Sequence, residues 1–149
     1  MKSLFDNNAY QEIKQRIDKL SPQSQRQWGK MEVSQMMAHC KEAFRVPLSD
    51  KTYPRQMMGR LVGWMMKAKM YDDSVFGKNL PTPAAFVVKD QRNFDGEKQQ
   101  LTGLVDKFYL LGDENNSLPQ HPFFGTFTKQ QWGQFMYKHL DHHLRQFGV

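Results

Sequence analysis

The sequence predicts an all-helical fold, a bundle of four or five helices forming one domain over residues 1–149. Apolar side chains recur at steps of three and four in several separate segments, which is the period of an amphipathic helix. The chain contains 11 Phe and 10 Met but few β-branched residues, and this mix suits helices better than sheets. Its 149 residues are enough to bury about two-thirds of the unfolded surface around one core.

The first two helices are predicted from the apolar periodicity and from the prolines that follow it. The first covers residues 8–20 and stops before Pro22. The second runs from Val33 to Phe44 and must end before Pro47, because the residue preceding a proline avoids the helical region. We expect each to bury one apolar stripe.

A third helix is predicted to begin at Pro54, since proline is favoured in the first turn of a helix. Gly59 and Gly63 each cost about 1 kcal/mol relative to alanine within a helix, so their spacing of four indicates close packing against a neighbour. The stripe expected to face the core consists of Met57, Met58, Leu61, Val62, Met65 and Ala68.

Residues 71–93 contain prolines and a glycine and are predicted to form a long connection, with one short extended piece at residues 84–88. The fourth helix begins near Asp95 and carries apolar residues up to Leu111. Gly112 follows at the position where a left-handed residue commonly caps a helix.

The last helix has the clearest start, because Thr128 and Gln131 are spaced as a capping box. On a helical wheel His139 and His143 fall in the middle of its apolar face, whereas Lys138 falls on the far side. Two imidazoles one turn apart on a buried face are spaced to chelate one metal ion. Histidines near a helix C-terminus also interact favourably with its dipole, so a purely structural role stays open.

A third candidate ligand lies on the second helix. His39 sits beside the apolar stripe, an unusual location for a polar ring unless something there uses it. A persistent metal site needs more than two ligands, and an inward histidine from another helix would supply the third. A core histidine hydrogen-bonded to a backbone carbonyl is the alternative.

Four nearby residues receive weaker assignments. His142, at the margin of the apolar face, is expected to support a ligand or to face solvent, and His121 either lines the mouth of the site or is an exposed loop residue. Cys40 is expected to be a small core residue. Glu42 could orient the ring of His39, although an exposed glutamate is the simpler expectation.

Several familiar chemistries lack their sequence signals. In the helical zinc-protease motif a glutamate follows the first histidine, but that position here is Leu140. The sequence has no glycine-rich phosphate loop, no CxxC pair and no GxSxG elbow. Nucleotide binding, thiol redox chemistry and serine hydrolysis are therefore not predicted.

Charge and cysteine content suggest where the protein works. The net charge is +6, but the basic residues are scattered among acidic ones, so nucleic-acid binding is only a minor alternative. A single cysteine and no visible secretory signal fit a reducing cytoplasm. No apolar run approaches the roughly 20 residues of a membrane span, so we expect a soluble protein with no membrane partner.

Three stretches of the chain resemble a known superfamily. They are Trp-Gly-Lys-Met at residues 28–31 with Met-Met-Ala-His-Cys at 36–40, His-Pro-Phe-Phe-Gly at 121–125, and His-Leu-Asp-His-His-Leu at 139–144. Together they resemble the DinB-like superfamily, in one of its branches of unknown function, and the similarity covers nearly the whole chain.

This resemblance implies a four-helix bundle in which one histidine of the second helix and two of the last helix bind a divalent metal. Those positions are His39, His139 and His143. Relatives in the superfamily resemble transferases that use low-molecular-weight thiols, or metal-dependent hydrolases. A small-molecule substrate, with a thiol as possible cosubstrate, is thus implied as the partner.

Three functional hypotheses remain at this stage. The first is a metal-dependent enzyme of the thiol-transferase or hydrolase type, with zinc or nickel as the favoured ion and iron or manganese as further options. The second is a non-catalytic metal-stabilised ligand-binding module, and the third is a basic nucleic-acid scaffold. Exposed Phe and Met residues of the loops could cover the site or form a homodimer contact.

Overall fold

A computed structural model describes residues 1–50, 53–80, 87–113 and 117–149. The described part is all-helical, with five α-helices, one short 3-10 helix and no strand. The helices are α1 (Asn7–Asp18), α2 (Val33–Phe44), α3 (Met57–Lys67), α4 (Phe94–Leu110) and α5 (Lys129–Gln146), and the 3-10 helix Ala68–Met70 follows α3 directly.

Side-chain caps fix the starts of the two helices that carry the candidate ligands. At α5 the predicted capping box is present, since the Gln131 amide donates to Thr128 Oγ1 at 3.1 Å and the Thr128 amide donates to Gln131 Oε1 at 2.9 Å. At α2 the Glu32 amide donates to Gln35 Oε1 at 3.0 Å. These bonds satisfy amides that would otherwise lack a partner within the helix.

Four helices pack in a closed ring, with α2 against α4 and α5, and α1 against the same two helices. The apolar stripes predicted for α1, α2, α4 and α5 meet at the centre of this ring. The largest side chains that are fully buried there include Trp132, Phe44, Phe108, Met36 and Met136. The ring brings α2 alongside α5, and this contact positions the site.

The prediction for α3 was wrong in two respects. The helix begins at Met57 and not at Pro54, and its large apolar residues face solvent, with Leu61 65% exposed. Its buried residues are Gly59 and Gly63, where an added Cβ would lie 2.4 Å from the carbonyl oxygen of Phe123. Close packing at the glycines was therefore predicted correctly, but it turns the apolar stripe outward.

The end of α4 also differs from the prediction. Gly112 follows the helix without adopting a left-handed backbone, and its amide donates to the Tyr109 carbonyl at 2.9 Å in a tight last turn. Of the predicted extended piece, residues 84–86 lie outside the described residues, and Val87 and Val88 form no regular structure.

The last helix is buried around most of its circumference, against the expectation of a single apolar stripe. Lys138, expected on the solvent side, is only 4% exposed because residues 69–74 cross over it. None of the described helices combines the length and the apolar character needed to cross a membrane.

Candidate metal centre

The three predicted ligands converge at the contact between α2 and α5. His39 projects from α2, and His139 and His143 lie one turn apart on α5. One ring nitrogen from each residue lies within 4.8 Å of the other two. The ring centroids of His139 and His143 are 4.8 Å apart, and that of His39 is 4.7 Å from that of His143.

Two nitrogens in this cluster point directly at each other. Nε2 of His39 and Nε2 of His139 are 3.3 Å apart. Two imidazole lone pairs facing each other repel, so this arrangement requires a shared proton or a shared cation between the nitrogens. The donor set of three imidazole nitrogens thus fits a divalent transition-metal ion.

Burial favours the neutral form of the two candidate ligands on α5, the form that metal binding requires. Desolvation lowers the pKa of His143 to about 3, with a further lowering from the nearby His39. The pKa of His139 lies well below the ordinary histidine value, again because burial disfavours the charged ring. Protons therefore compete weakly with a metal for these nitrogens near neutral pH.

A glutamine orients one of the ligands. Nδ1 of His143 lies 3.0 Å from Oε1 of Gln146, one turn further along α5. When Nδ1 donates this bond, the lone pair of His143 resides on Nε2, the nitrogen free to bind a metal. Nε2 of Gln146 in turn donates to the carbonyl of Trp28 at 2.8 Å, so the orientation of the amide is fixed.

His142 is buried beside the cluster, and its side chain is 9% exposed. Its ring lies 5.8 Å from that of Trp28 and 5.9 Å from that of Phe76, measured between centroids. A hydrogen bond with the Phe76 backbone raises its pKa, but burial outweighs this effect and the net pKa is lowered. Of the two roles predicted for His142, facing solvent is wrong.

His121 is held in an aromatic cluster next to the site. Its Nδ1 accepts hydrogen bonds from the Phe123 and Phe124 amides, both at 3.1 Å. Phe135 lies between His121 and His139, with ring centroids 5.7 and 6.1 Å away respectively. Burial lowers the pKa of His121 to about 4. The residue is partly buried, so the expectation of an exposed loop histidine is wrong.

Two other candidates do not join the cluster. Cys40 is fully buried, as predicted, and contacts the sulfur of Met36 at 3.6 Å. Burial raises the pKa of its thiol, which leaves it a poor nucleophile. The carboxylate of Glu42 accepts a hydrogen bond from Arg45 at 2.7 Å.

The chain was compared with known proteins. A family model described as protein of unknown function (DUF1569) matches residues 2–148. The chain belongs to the DUF1569 family. Comparison with curated proteins and with solved structures gave no match.

The sequence analysis of this DUF1569 protein did not predict two buried polar residues of α5, Gln146 beside the cluster and Lys138 on another face of the helix. Gln146 follows His143 by three residues, a spacing at which side chains on one helix meet, and that spacing was the available signal. Lys138 donates to the carbonyl of Lys69 at 2.6 Å and to Oδ1 of Asp72 at 2.5 Å. No local sequence pattern predicts this contact, because Lys138 and its partners are more than 60 residues apart in the chain.

Proposed function

We propose that this DUF1569 protein binds one divalent metal ion through His39, His139 and His143 and is a metal-dependent enzyme with a DinB-like four-helix bundle. The observation that carries the proposal is the convergence of the three histidine nitrogens within 4.8 Å of one another. The cyclic packing of α1, α2, α4 and α5 supports the DinB-like arrangement that the sequence motifs imply.

Burial lowers the pKa of both candidate ligands on α5 and so favours their neutral, metal-binding form. Gln146 sets the tautomer of His143, and the helical spacing holds His139 beside it. A divalent ion bound there would act as a Lewis acid, polarising a substrate and lowering the pKa of a water or thiol that joins it. Three protein ligands leave coordination positions open for such groups, which favours a catalytic over a purely structural role.

The nucleophile is expected to come from solution. Cys40, the chain's one cysteine, is buried against Met36. Among the described residues, the group suited to hold a metal consists of histidines only, without a carboxylate to serve as general base. Water or a low-molecular-weight thiol would therefore supply the attacking atom, which corresponds to a hydrolase or a thiol transferase acting on a small molecule.

Imidazole ligands favour zinc or nickel, and iron or manganese are further options when waters complete the coordination. Elemental analysis of the protein purified without a histidine tag tests the site directly. We expect about one metal ion per chain in the parent, and little in a His39→Ala, His139→Ala, His143→Ala variant. His121→Asn is the matched control, because it removes an imidazole outside the triad, keeps an acceptor for the Phe123 and Phe124 amides, and should leave the metal content unchanged.

Equal and negligible metal in the parent and the triple variant would overturn the proposal. Catalysis is tested separately by incubating the metal-loaded protein with a small thiol and an electrophile. Turnover that disappears in the triple variant supports the transferase. The non-catalytic metal-stabilised module predicts two other results. A chelator would lower the thermal stability of the protein, and the metal-loaded protein would turn over neither electrophiles with a thiol nor hydrolysable esters and amides.

A further inference from the structure

The outer face of α3 is an exposed apolar surface. Among its residues Met57 is 75% exposed, Trp64 71% and Leu61 65%. The α3 outer face consists of Met57, Met58, Leu61, Trp64 and Met65. Scattered single apolar residues on a protein surface need no explanation, but a contiguous group on one helix commonly marks a binding surface.

The outward orientation of this face follows from how α3 docks on the protein. Gly59 and Gly63 lie against the carbonyl of Phe123, and no larger residue fits there without displacing backbone. Nη2 of Arg55 donates to the carbonyl of Gly59 at 3.1 Å and lies 3.4 Å from that of Phe123. Leu61 is two residues from each glycine, about half a turn around the helix, so the large apolar side chains must point away.

The charge around this face has one sign. Residues 53–71 contain four basic side chains and no acidic one. Arg60 is exposed beside the apolar arc. Lys67 follows at a spacing of seven, about two helical turns, but its Nζ donates to the Thr126 carbonyl and lies over the Phe127 ring. Lys69 is 70% exposed and pairs with Asp72 at 3.4 Å, just beyond the segment. The surface therefore combines large apolar side chains with an exposed cation, Arg60, at its border.

We propose that the α3 outer face binds the surface of an anionic phospholipid membrane, with the helix lying in the plane of the headgroups. Leucine, methionine and tryptophan side chains would enter the boundary between headgroups and acyl chains, and Arg60 would meet the lipid phosphates. The proposed binding is peripheral and needs no membrane span, whereas the expectation of no membrane partner depended on the absence of a spanning segment. It is independent of the metal centre.

Charge favours an anionic membrane over a second copy of the chain. Two copies meeting through this face would bring two sets of cations together without a carboxylate from residues 53–71 to pair them. The docking of α3 also suits a membrane, because Gly59 and Gly63 lie against the Phe123 backbone and the large side chains on the other side of the helix are exposed. Exposed methionines are flexible and fit a deformable lipid surface well.

The test is co-sedimentation of the full chain with vesicles of phosphatidylcholine alone and of phosphatidylcholine with about one-third phosphatidylglycerol. We expect binding to the anionic vesicles that is at least tenfold stronger than to the neutral ones and that weakens with salt. The fluorescence of Trp64 should shift to the blue on binding, and a Trp64→Phe variant should lose that shift.

Three variants separate the contributions. Leu61→Gln with Trp64→Gln should reduce binding to anionic vesicles at least tenfold, and Arg60→Glu should reduce it several-fold. Leu110→Gln is the matched control, because Leu110 on α4 is 61% exposed and should leave binding unchanged. Each substitution is at an exposed site, so folding is checked by an unchanged thermal midpoint.

Three outcomes would overturn the proposal. The first is no binding to either kind of vesicle, and the second is equal binding to neutral and anionic vesicles. The third is a loss of vesicle binding in the Leu110→Gln control as large as that in the Leu61→Gln, Trp64→Gln variant. Sedimentation equilibrium adds a further check. If the parent is a dimer and the Leu61→Gln, Trp64→Gln variant is a monomer, the α3 outer face is a self-association surface and the membrane proposal is wrong.

Discussion

Nδ1 of His143 lies 3.0 Å from Oε1 of Gln146, and the same amide donates its Nε2 proton to the Trp28 carbonyl at 2.8 Å. Both residues are buried, with Gln146 3% exposed. The glutamine thus connects a candidate ligand to the backbone of the segment that precedes α2. Residues that fix the tautomer of a ligating histidine commonly influence metal affinity strongly.

We predict that Gln146→Leu weakens zinc binding by about 10–100-fold, because the ring of His143 loses the acceptor that directs its lone pair to Nε2. Gln146→Glu keeps an acceptor for His143 but loses the donor to Trp28. It should therefore retain most of the affinity. Competition with a zinc-responsive dye measures both values, and an equal loss of affinity in the two variants would show that Gln146 acts through stability alone.

The metal-free protein should lose stability as the pH falls below about 6.5. Burial lowers the pKa of His143 to about 3 and that of His121 to about 4, so the unfolded chain binds these protons more tightly than the folded one. The contribution of each histidine to the stability of the fold is fully present above its pKa in the unfolded chain. It is lost as the pH falls toward its pKa in the folded protein. The free energy of unfolding should fall by up to about 1.4 kcal/mol per pH unit for each of these histidines.

Urea unfolding of chelator-treated protein between pH 8 and pH 4 measures this slope. His121→Asn is the informative comparison, because asparagine Oδ1 can accept the same two amide bonds as Nδ1 but does not titrate. The variant should show a shallower dependence on pH. An unchanged slope would mean that His121 titrates alike in the folded and unfolded chains.

Lys138→Met should destabilise the fold by about 1–3 kcal/mol, because it removes a buried ammonium that satisfies two carbonyls and the Asp72 carboxylate. Asp72 is 34% exposed and can rehydrate, which limits the loss. Lys107→Met, at an exposed position of α4, should change stability by less than about 0.5 kcal/mol. Chemical denaturation compares the two, and equal effects would contradict a structural role for the buried ammonium.

Two glycine-to-alanine substitutions should change the stability of the protein in opposite directions. Gly103 lies within α4 with nothing within 4 Å of an added Cβ, so Gly103→Ala should stabilise by up to about 1 kcal/mol through helix propensity. Gly63→Ala gains the same propensity but places its Cβ 2.4 Å from the Phe123 carbonyl, and should undock α3. Denaturation and the rate of proteolysis within α3 report the difference. A resistant Gly63→Ala variant would contradict the docking described for α3.

The candidate ligands illustrate how far sequence periodicity reaches. His139 and His143 share a helix, so their common face follows from a fixed rotation per residue, and Thr128 marks where that helix begins. By contrast, the partnership of His143 with Gln146 depended on rotamers and burial, which periodicity does not specify.

The amino-acid sequence by itself determined the helical class and the spans of α2 and α5, because each depends on local spacing, capping and propensity. It also indicated His39, His139 and His143 as candidate ligands, and the packing of α2 on α5 brought the three together. Tertiary structure decided which face of α3 is buried, because Gly59 and Gly63 allow closer packing against the Phe123 backbone than the methionines of the opposite face would. It also decided that Lys138 is buried, because the covering segment, residues 69–74, comes from a distant part of the chain. Contacts between remote segments depend on shape and on satisfied hydrogen bonds, which a single helix does not encode.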